Sequence, residues 1–321
     1  MIHVESHGRL QPSEIDEVTS LVAAVAEADG VAPLSEHVLL HLRHGGDTPV
    51  RNLLARADDA GAGGTGGTGG SGGALVGYAH LDVTDPVEGS SAELAVAPTA
   101  RRRGVAGLLV DELLEQSGGS VGGRLRLWAH GQQPGAERLA ASRGFDRARV
   151  LWQMRRSLLS PLPTPALPPG VSIRTFKPGV DEQAWVTVNN AAFIDHPDQG
   201  RWTEDDLLMR EAEPWFDPAG FFLAERDARL VGFHWTKVHG EDLSSDHGHP
   251  PIGEVYVVGV DPSEAGRGLG PALTLVGLQH LRSSGLTSAM LYVDESNTRA
   301  VRVYERLGFV RWAADVLYAR G

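Results

Sequence analysis

Apolar residues recur at helical spacing over residues 16–28, where Val18, Leu21, Val22 and Val25 share one face, and the pattern predicts an early helix. Two β-rich runs follow, 50–56 and 74–81. The glycine run between them, 61–73, reads as a lengthened hairpin loop, disordered and on the surface. In the second half, residues 254–260 (EVYVVGV) predict a strand that ends at Asp261-Pro262. After a glycine-bearing turn, residues 271–281 predict a helix opened by proline in its first turn. A strand at 289–293 and a helix at 298–307, stopped by Gly308, complete the pattern. Helical and strand periods alternate in this way in each half, which points to α/β architecture with an α+β mixed sheet.

Short stretches of the two halves match. Leu75-Val76-Gly77-Tyr78 resembles Leu230-Val231-Gly232-Phe233, and Val96-Ala97-Pro98 with Arg103-Gly104 resembles Val260-Asp261-Pro262 with Arg267-Gly268. Pro98 and Pro262 are 164 positions apart, and so are Phe145 and Phe309. Two insertions would have to cancel for that agreement to be accidental, so the chain reads as an internal duplication. The proline-dense stretch 161–169 (PLPTPALPP) lies at mid-chain and favours an extended spacer. The expected domains are therefore 1–159 and 171–321, joined by a linker at 160–170.

At 321 residues the chain can bury two cores of ordinary size. With 41% hydrophobic and 22% charged residues and a formal charge of −12, it reads as a globular protein that does not bind nucleic acid or an anionic membrane. The absence of cysteine excludes disulfides, Cys-ligated zinc, Fe–S clusters and a thiolate nucleophile. No apolar run approaches the roughly 20 residues needed to span a bilayer. The expectation is a cytoplasmic monomer that uses no metal.

Gly266-Arg267-Gly268-Leu269-Gly270 stands between a predicted strand and a predicted helix. Glycines there let successive N–H groups converge, with the positive end of the helix behind them, so the turn suits a pyrophosphate. Residues 101–107 (RRRGVAG) occupy the equivalent place in the first half and add three guanidinium groups. One such turn is more often an empty loop, but the same context twice at one offset points to a ligand. The turn lacks both the Gly-Lys-Ser/Thr ending of a triphosphatase loop and the spacing of a dinucleotide fingerprint.

What the turn resembles is the acetyl-CoA pyrophosphate loop, Gln/Arg-x-x-Gly-x-Gly/Ala, of the GCN5-related N-acetyltransferase (GNAT) superfamily. Asn297, Ala300, Tyr304 and Gly308-Phe309 resemble that family's closing motif. The resemblance implies two tandem GNAT domains with one acetyl-CoA site each. In the second half it implies cofactor contacts from Val258, Gly259 and Val260, then Ala265, Gly266, Arg267, Gly268, Leu269, Gly270 and Pro271, and then Asn297, Thr298, Arg299, Ala300, Val301 and Arg302. In the first half it implies Leu94, Ala95 and Val96, followed by Arg102, Arg103, Gly104, Val105, Ala106 and Gly107. The second loop departs from the family at its first position, which is Ala265, whereas the first loop keeps Arg101 there.

Longer strings carry a closer likeness: residues 232–239 (GFHWTKVH), 253–262 (GEVYVVGVDP), 215–218 (WFDP) and 128–131 (WAHG). They resemble the mycothiol synthase family of tandem acetyltransferases, which acetylate the cysteinyl amine of a glucosamine–inositol conjugate. The likeness implies a thiol pseudodisaccharide substrate, touched by Glu36, Asp198, Lys237, Glu254 and Tyr292 in a wet cleft between the units. Asp195 offers a second alignment for Asp198, and Glu36 reads equally as an exposed helix residue after Ser35. An aminoglycoside or a protein N-terminal amine is the alternative acceptor, and a non-catalytic acetyl-CoA sensor is the alternative class.

Acetyl transfer to an amine needs a group to accept the amine's proton and another to protonate the departing thiolate. An α-amino group titrates at about 7.7–8.0, so a carboxylate suffices as base, and a phenol at about 10 can supply the proton to sulfur. Glu254 begins the strand that leads to the loop, and simple alternation puts it on one face with Tyr256, Val258 and Val260. It is the candidate base. Tyr304, where the resemblance puts the leaving-group acid, is the candidate acid. The 164-residue offset sets Ser90 and Ala140 against them, so the first unit is expected to bind acetyl-CoA without turnover. His41 and His44 read as surface histidines, residues 246–249 (DHGH) as a loop, and Trp202, Trp215 and Trp235 as packing residues.

Overall fold

The stripe of Val18, Leu21, Val22 and Val25 is buried on α1 (Pro12–Asp29), whose C-terminus is closed by Gly30 at φ +67°. The computed structural model of the chain describes residues 1–45, 50–58, 73–84, 89–118, 124–131, 133–194, 200–240 and 250–320. Nearly all of the glycine run, together with Asp198 and residues 246–249, lies outside them. Among the described residues no helix is long and apolar enough to cross a membrane.

The chain forms two compact units, residues 1–151 with 313–321 and residues 152–312. In the first, β1 (Ile2–His7), β2 (Val50–Ala57), β3 (Ala74–Asp82), β4 (Ser90–Val96) and β5 (Leu125–Ala129) lie in that order, and β12 (Val310–Arg320) follows β5. Its other helices are α2 (Glu36–His44), α3 (Val105–Ser117) and α4 (Pro134–Ser142). β2 and β3 pair antiparallel, as the hairpin reading expects. Side-chain alternation splits the strands between two cores: Leu53 packs with Leu109 and Leu113 of α3, and Leu54 with Val18 and Leu21 of α1.

In the second unit the order is β6 (Asp146–Ser157, in this unit from Trp152 on), β11 (Ser288–Asp294), β10 (Ile252–Val260), β9 (Arg229–His239), β8 (Phe221–Arg226) and β7 (Val171–Thr175). Phe221, Phe233 and Trp235 face α5 (Glu182–Ala192) and α6 (Glu204–Glu211) through Trp185 and Leu207. On the opposite face, Leu269 and Leu273 of α7 (Leu269–Ser283) pack on Ala224 and Val231. The remaining helix is α8 (Thr298–Arg306), capped by Asn297, whose Oδ1 accepts from the Ala300 amide at 3.1 Å.

These units differ from the division expected at 160–170. The last strand of each half joins the other half's sheet: Val316–Arg320 of β12 pairs antiparallel with Ala129–Leu125 of β5, while β6 lies beside β11. The proline stretch belongs to the second unit rather than standing between two. Its carbonyls are bonded there, with Arg226 Nη1 donating to Pro169 O at 2.5 Å and Gln279 Nε2 to Pro163 O at 3.5 Å. A spacer tied down in this way costs little to order, because proline has already lost much of its freedom.

Candidate functional site

β10 is where the second unit becomes irregular. Its ladder to β9 slips between Val255 and Val257, so Tyr256 is an extra residue, a β-bulge. The Tyr256 hydroxyl accepts from Arg210 Nε at 2.9 Å, and its ring lies 5.1 Å from both Trp215 and Trp235, which fixes the bulge in place. The bulge reverses the alternation assumed in the sequence reading. Glu254 pairs with Lys237 on the face of α5, while Val258 and Val260 pair with His234 and Gly232 on the face of α7. On its other side, β10 is in parallel register with β11 only at Gly253 and Glu254. Beyond Glu254 the two strands part.

Next to that parting, on the α7 face, is a cavity of about 430 Å³. Val258 and Val260 line it from β10. Ala265, Gly266, Gly268, Leu269, Gly270 and Pro271 line it from the loop and helix start, and Asn297, Arg299, Ala300 and Tyr304 from α8 and its cap. Gly266 and Gly268 adopt φ +80° and +85°, the left-handed region where a side chain costs about 1–2 kcal/mol. α7 starts at Leu269, two residues before the expected Pro271, so its first-turn N–H groups at Leu269 and Gly270 have no intrahelical acceptor. Converging amides at a helix N-terminus, backed by Arg299, form a donor set that fits a diphosphate.

The remaining expected contacts are placed differently. A Cβ on Gly259 would lie 2.6 Å from Phe233, so this glycine serves close packing. Val301 is buried, and Thr298, Arg302 and Arg267 do not line the cavity. Arg267 Nη1 donates to Glu264, a buried carboxylate that Arg226 also grips at 3.0 and 3.2 Å. Sequence reasoning missed Glu264, Thr274 and Val303 as lining residues. For Thr274 a signal existed, since it stands one turn past Gly270, whose carbonyl its hydroxyl bonds at 2.9 Å.

The loop of the first unit has the same backbone form. Arg102, the repeat partner of Gly266, takes φ +61°, and Gly104 takes +87° at the start of α3. Arg101, in the family's Gln/Arg position, is held by Asp29 through two bonds of 2.7 and 2.8 Å.

Glu254 is buried beside Lys237, and its Oε2 lies 2.6 Å from His239 Nε2. The Lys237 ammonium sits 4.1 Å from the Trp215 ring centroid and 5.3 Å from that of Tyr256. His239 was missed, although the alternation Lys237-Val238-His239 already puts it on the same face as Lys237. Glu254 is not among the cavity's lining residues, whereas Tyr304 is. The half-buried Tyr304 ring packs edge-on against Phe309 at 5.9 Å, and burial pushes its phenol up to about 12.

The bulge also moves the internal comparison by one residue. Counted along the ladders from Gly232 and Gly77, Glu254 corresponds to Ser91 and not to Ser90. Either way the first unit has serine there, and Ala140 of α4 at the place of Tyr304.

Of the expected substrate contacts, Lys237, Glu254 and Tyr292 share one face of the second unit's sheet, since Met290 pairs with Glu254 and Tyr292 is two residues on. Glu36 opens α2 in the first unit, and Asp198 lies outside the described residues. His41, expected on the surface, is half-buried with its ring 4.3 Å from that of His37. Trp235 is fully buried, and Trp202 and Trp215 pack against its cluster.

The model of the acetyltransferase (GNAT) family matches residues 43–145 and 185–309. A protein of Acidothermus cellulolyticus named mycothiol acetyltransferase is 55% identical, with 100% of this chain and 95% of the relative covered. One of Thermobispora bispora with the same name is also 55% identical, with 97% and 98% covered. Among solved structures, a GCN5-related N-acetyltransferase from Sphaerobacter thermophilus is 26% identical at a TM-score of 0.67, covering 99% of this chain and 95% of that one. A tandem GNAT protein from the clavulanic acid biosynthesis pathway shares the fold at 19% identity and a TM-score of 0.70, with 100% and 98% covered.

Proposed function

The chain belongs to the acetyltransferase (GNAT) family, and from that membership we propose that it is a mycothiol acetyltransferase. It moves acetyl from coenzyme A to the cysteinyl amine of 1D-myo-inositol 2-(L-cysteinylamino)-2-deoxy-α-D-glucopyranoside. The names of its full-length relatives support this acceptor. One structural observation carries the chemistry: the amide cradle at α7 and the Glu254 carboxylate lie on opposite faces of β10, beside the point where β10 and β11 part.

Acetyl-CoA supplies the activated thioester. Amides at Leu269 and Gly270, with Arg299, would hold its diphosphate on the α7 face. On the other face, Glu254 takes the proton of the acceptor amine as nitrogen bonds to the carbonyl carbon, and His239 passes that proton on. Tyr304, still a phenol at neutral pH, gives its proton to sulfur as the C–S bond breaks. Lys237, Glu254 and Tyr292, which share one face of the second unit's sheet, would hold the acceptor. The first unit, with the same loop and neither proton-transfer group, binds a second acetyl-CoA without turnover. The setting is cytoplasmic and the enzyme acts as a monomer.

The test is coenzyme A release with the cysteinyl-glucosaminyl-inositol acceptor, compared with an aminoglycoside and a peptide N-terminal amine. Turnover confined to the last two would overturn the acceptor assignment. Equilibrium titration with acetyl-CoA should count two sites per chain, and one site would overturn the first-unit assignment.

A further inference from the structure

On the face of the second unit that carries Lys237, Glu254 and Tyr292, a row of polar and aromatic groups continues past Tyr292. Gln153 Nε2 donates to the Tyr292 hydroxyl at 2.8 Å, and Gln153 Oε1 accepts from Arg155 Nε at 3.0 Å. The Arg155 guanidinium then lies 4.5 Å from the ring centroid of Trp312. Gln153 and Arg155 alternate on β6, and Trp312, the last residue of the second unit, is on β12, so the row runs across three strands. Gln153 is 4% exposed, whereas Trp312 is 64% and Tyr292 41% exposed.

That gradient separates a fixed base from an open surface. A buried amide with both ends bonded orders the side chains beside it and offers nothing to a ligand. An indole two-thirds exposed in a sheet, steadied by a guanidinium, presents a flat apolar face on which a ligand ring can stack. Among the described residues Arg155 bonds Gln153 through Nε, and its two Nη groups keep their donors. A flat apolar ring bordered by a guanidinium and a phenol suits a cyclic polyol, whose C–H faces stack while its hydroxyls accept from Arg155 and bond Tyr292.

We propose that Arg155 and Trp312, set in place by the positioning residue Gln153, form the subsite for the hydroxyl-rich end of the acceptor, its inositol ring, while Glu254 meets the amine at the other end. The inference rests on the acceptor assigned above. It makes this row the element that tells the full pseudodisaccharide from a truncated amine.

The experiment compares two acceptors, the full compound and cysteinyl-glucosamine without inositol, on wild type, Trp312→Ala and Arg155→Ala. Each substitution should raise KM for the full acceptor roughly tenfold, within the range for loss of a stacked aromatic or charged hydrogen bond. KM for acetyl-CoA, and for cysteinyl-glucosamine, should stay at the wild-type value. Gln153→Leu should reproduce the same pattern more weakly. Equal changes for both acceptors, or none for either, would overturn the subsite. A wild type that ignores both acceptors would instead sink the acceptor assignment, so the two failures are distinguishable. Inhibition of the wild type by phosphate or citrate, competitive with the acceptor and lost in Arg155→Ala, would mark the row as an anion site and overturn the polyol reading.

Discussion

Asp315 Oδ2 lies 3.0 Å from His130 Nδ1, which ties the last strand of the chain to the end of β5 in the first unit. The other ring nitrogen, Nε2, is 3.3 Å from Glu93, and Glu93 in turn accepts from the Ser35 amide at 2.5 Å. All three ionisable side chains are nearly buried, so the imidazolium between two carboxylates replaces the water each has lost.

Burial alone would depress His130, but its bonds to Asp315 and Glu93 lift it to about 10. Burial likewise pushes Glu93 up, and the bond and charge of His130 together with the Ser35 amide more than offset this, holding it below its ordinary value. A histidine raised on folding stabilises fully below its unfolded value near 6.5 and loses that contribution as pH rises through about 10. A carboxylate lowered on folding contributes above its ordinary value and loses that on acidification. Denaturant melts across pH should therefore show stability falling from pH 7 to 10, and His130→Gln should flatten the slope. Deleting residues 313–321, which removes Asp315 and the β5 edge partner, should melt the first unit.

Gly268→Ala should raise KM for acetyl-CoA about tenfold and leave kcat nearly unchanged. A Cβ at φ +85° meets no neighbour, so the cost is in the backbone, about 1–2 kcal/mol, which the loop relieves by moving its amides. Steady-state kinetics with saturating acceptor checks it, and an unchanged KM would remove the amides from phosphate binding.

Much of this site was legible because its parts are local. Strand, turn and helix at 254–281 are fixed by β-rich composition, Asp261-Pro262 and glycines, and the repeat offset identified their partners in the first half. The bulge at Tyr256 was not legible, because one inserted residue leaves no mark in composition yet moves Val258 and Val260 to the opposite face from Glu254. The exchanged strands were hidden for a different reason. β6 and β12 occupy the same place in the repeat, and which sheet each joins depends on pairing partners more than a hundred residues away. His239 was within reach of simple alternation. The link from Gln153 to Tyr292 was not, since it spans 139 positions.

Glu254→Gln should lower kcat by about 10²–10⁴, the usual contribution of a positioned base, with KM for acetyl-CoA unchanged. His239→Gln should lower kcat by less, since its ring touches Glu254 at 2.6 Å and acts through it. Pre-steady-state mixing locates the loss in the chemical step. An unaffected rate in Glu254→Gln would reassign the base.

Gly277→Ala should destabilise the second unit by about 1–3 kcal/mol, as expected of overpacking. A Cβ there would fall 2.1 Å from the His234 ring, which is fully buried with Nδ1 bonded to Leu273 O at 2.7 Å. Burial pushes His234 down to about 4, so the ring is neutral and has no charge to draw it elsewhere. A thermal melt that leaves Tm unchanged would mean that α7 can lift away from β9.

Tyr304→Phe tests the acid and separates its two possible roles. The phenol is pushed up to about 12 by burial, so the wild type keeps its proton at neutral and mildly alkaline pH. Acid catalysis by Tyr304 then adds no alkaline limb to the kcat profile below about pH 11, and removing the hydroxyl should lower kcat by about 10²-fold with the profile's shape preserved. A packing role predicts something else, because phenylalanine keeps the edge-on contact to Phe309 at 5.9 Å and should preserve both Tm and kcat. A thioester whose leaving thiol is far more acidic needs less help from an acid. With such a donor, the ratio of wild-type to Tyr304→Phe rates should approach one if the hydroxyl protonates sulfur, and should stay constant if it only positions the donor.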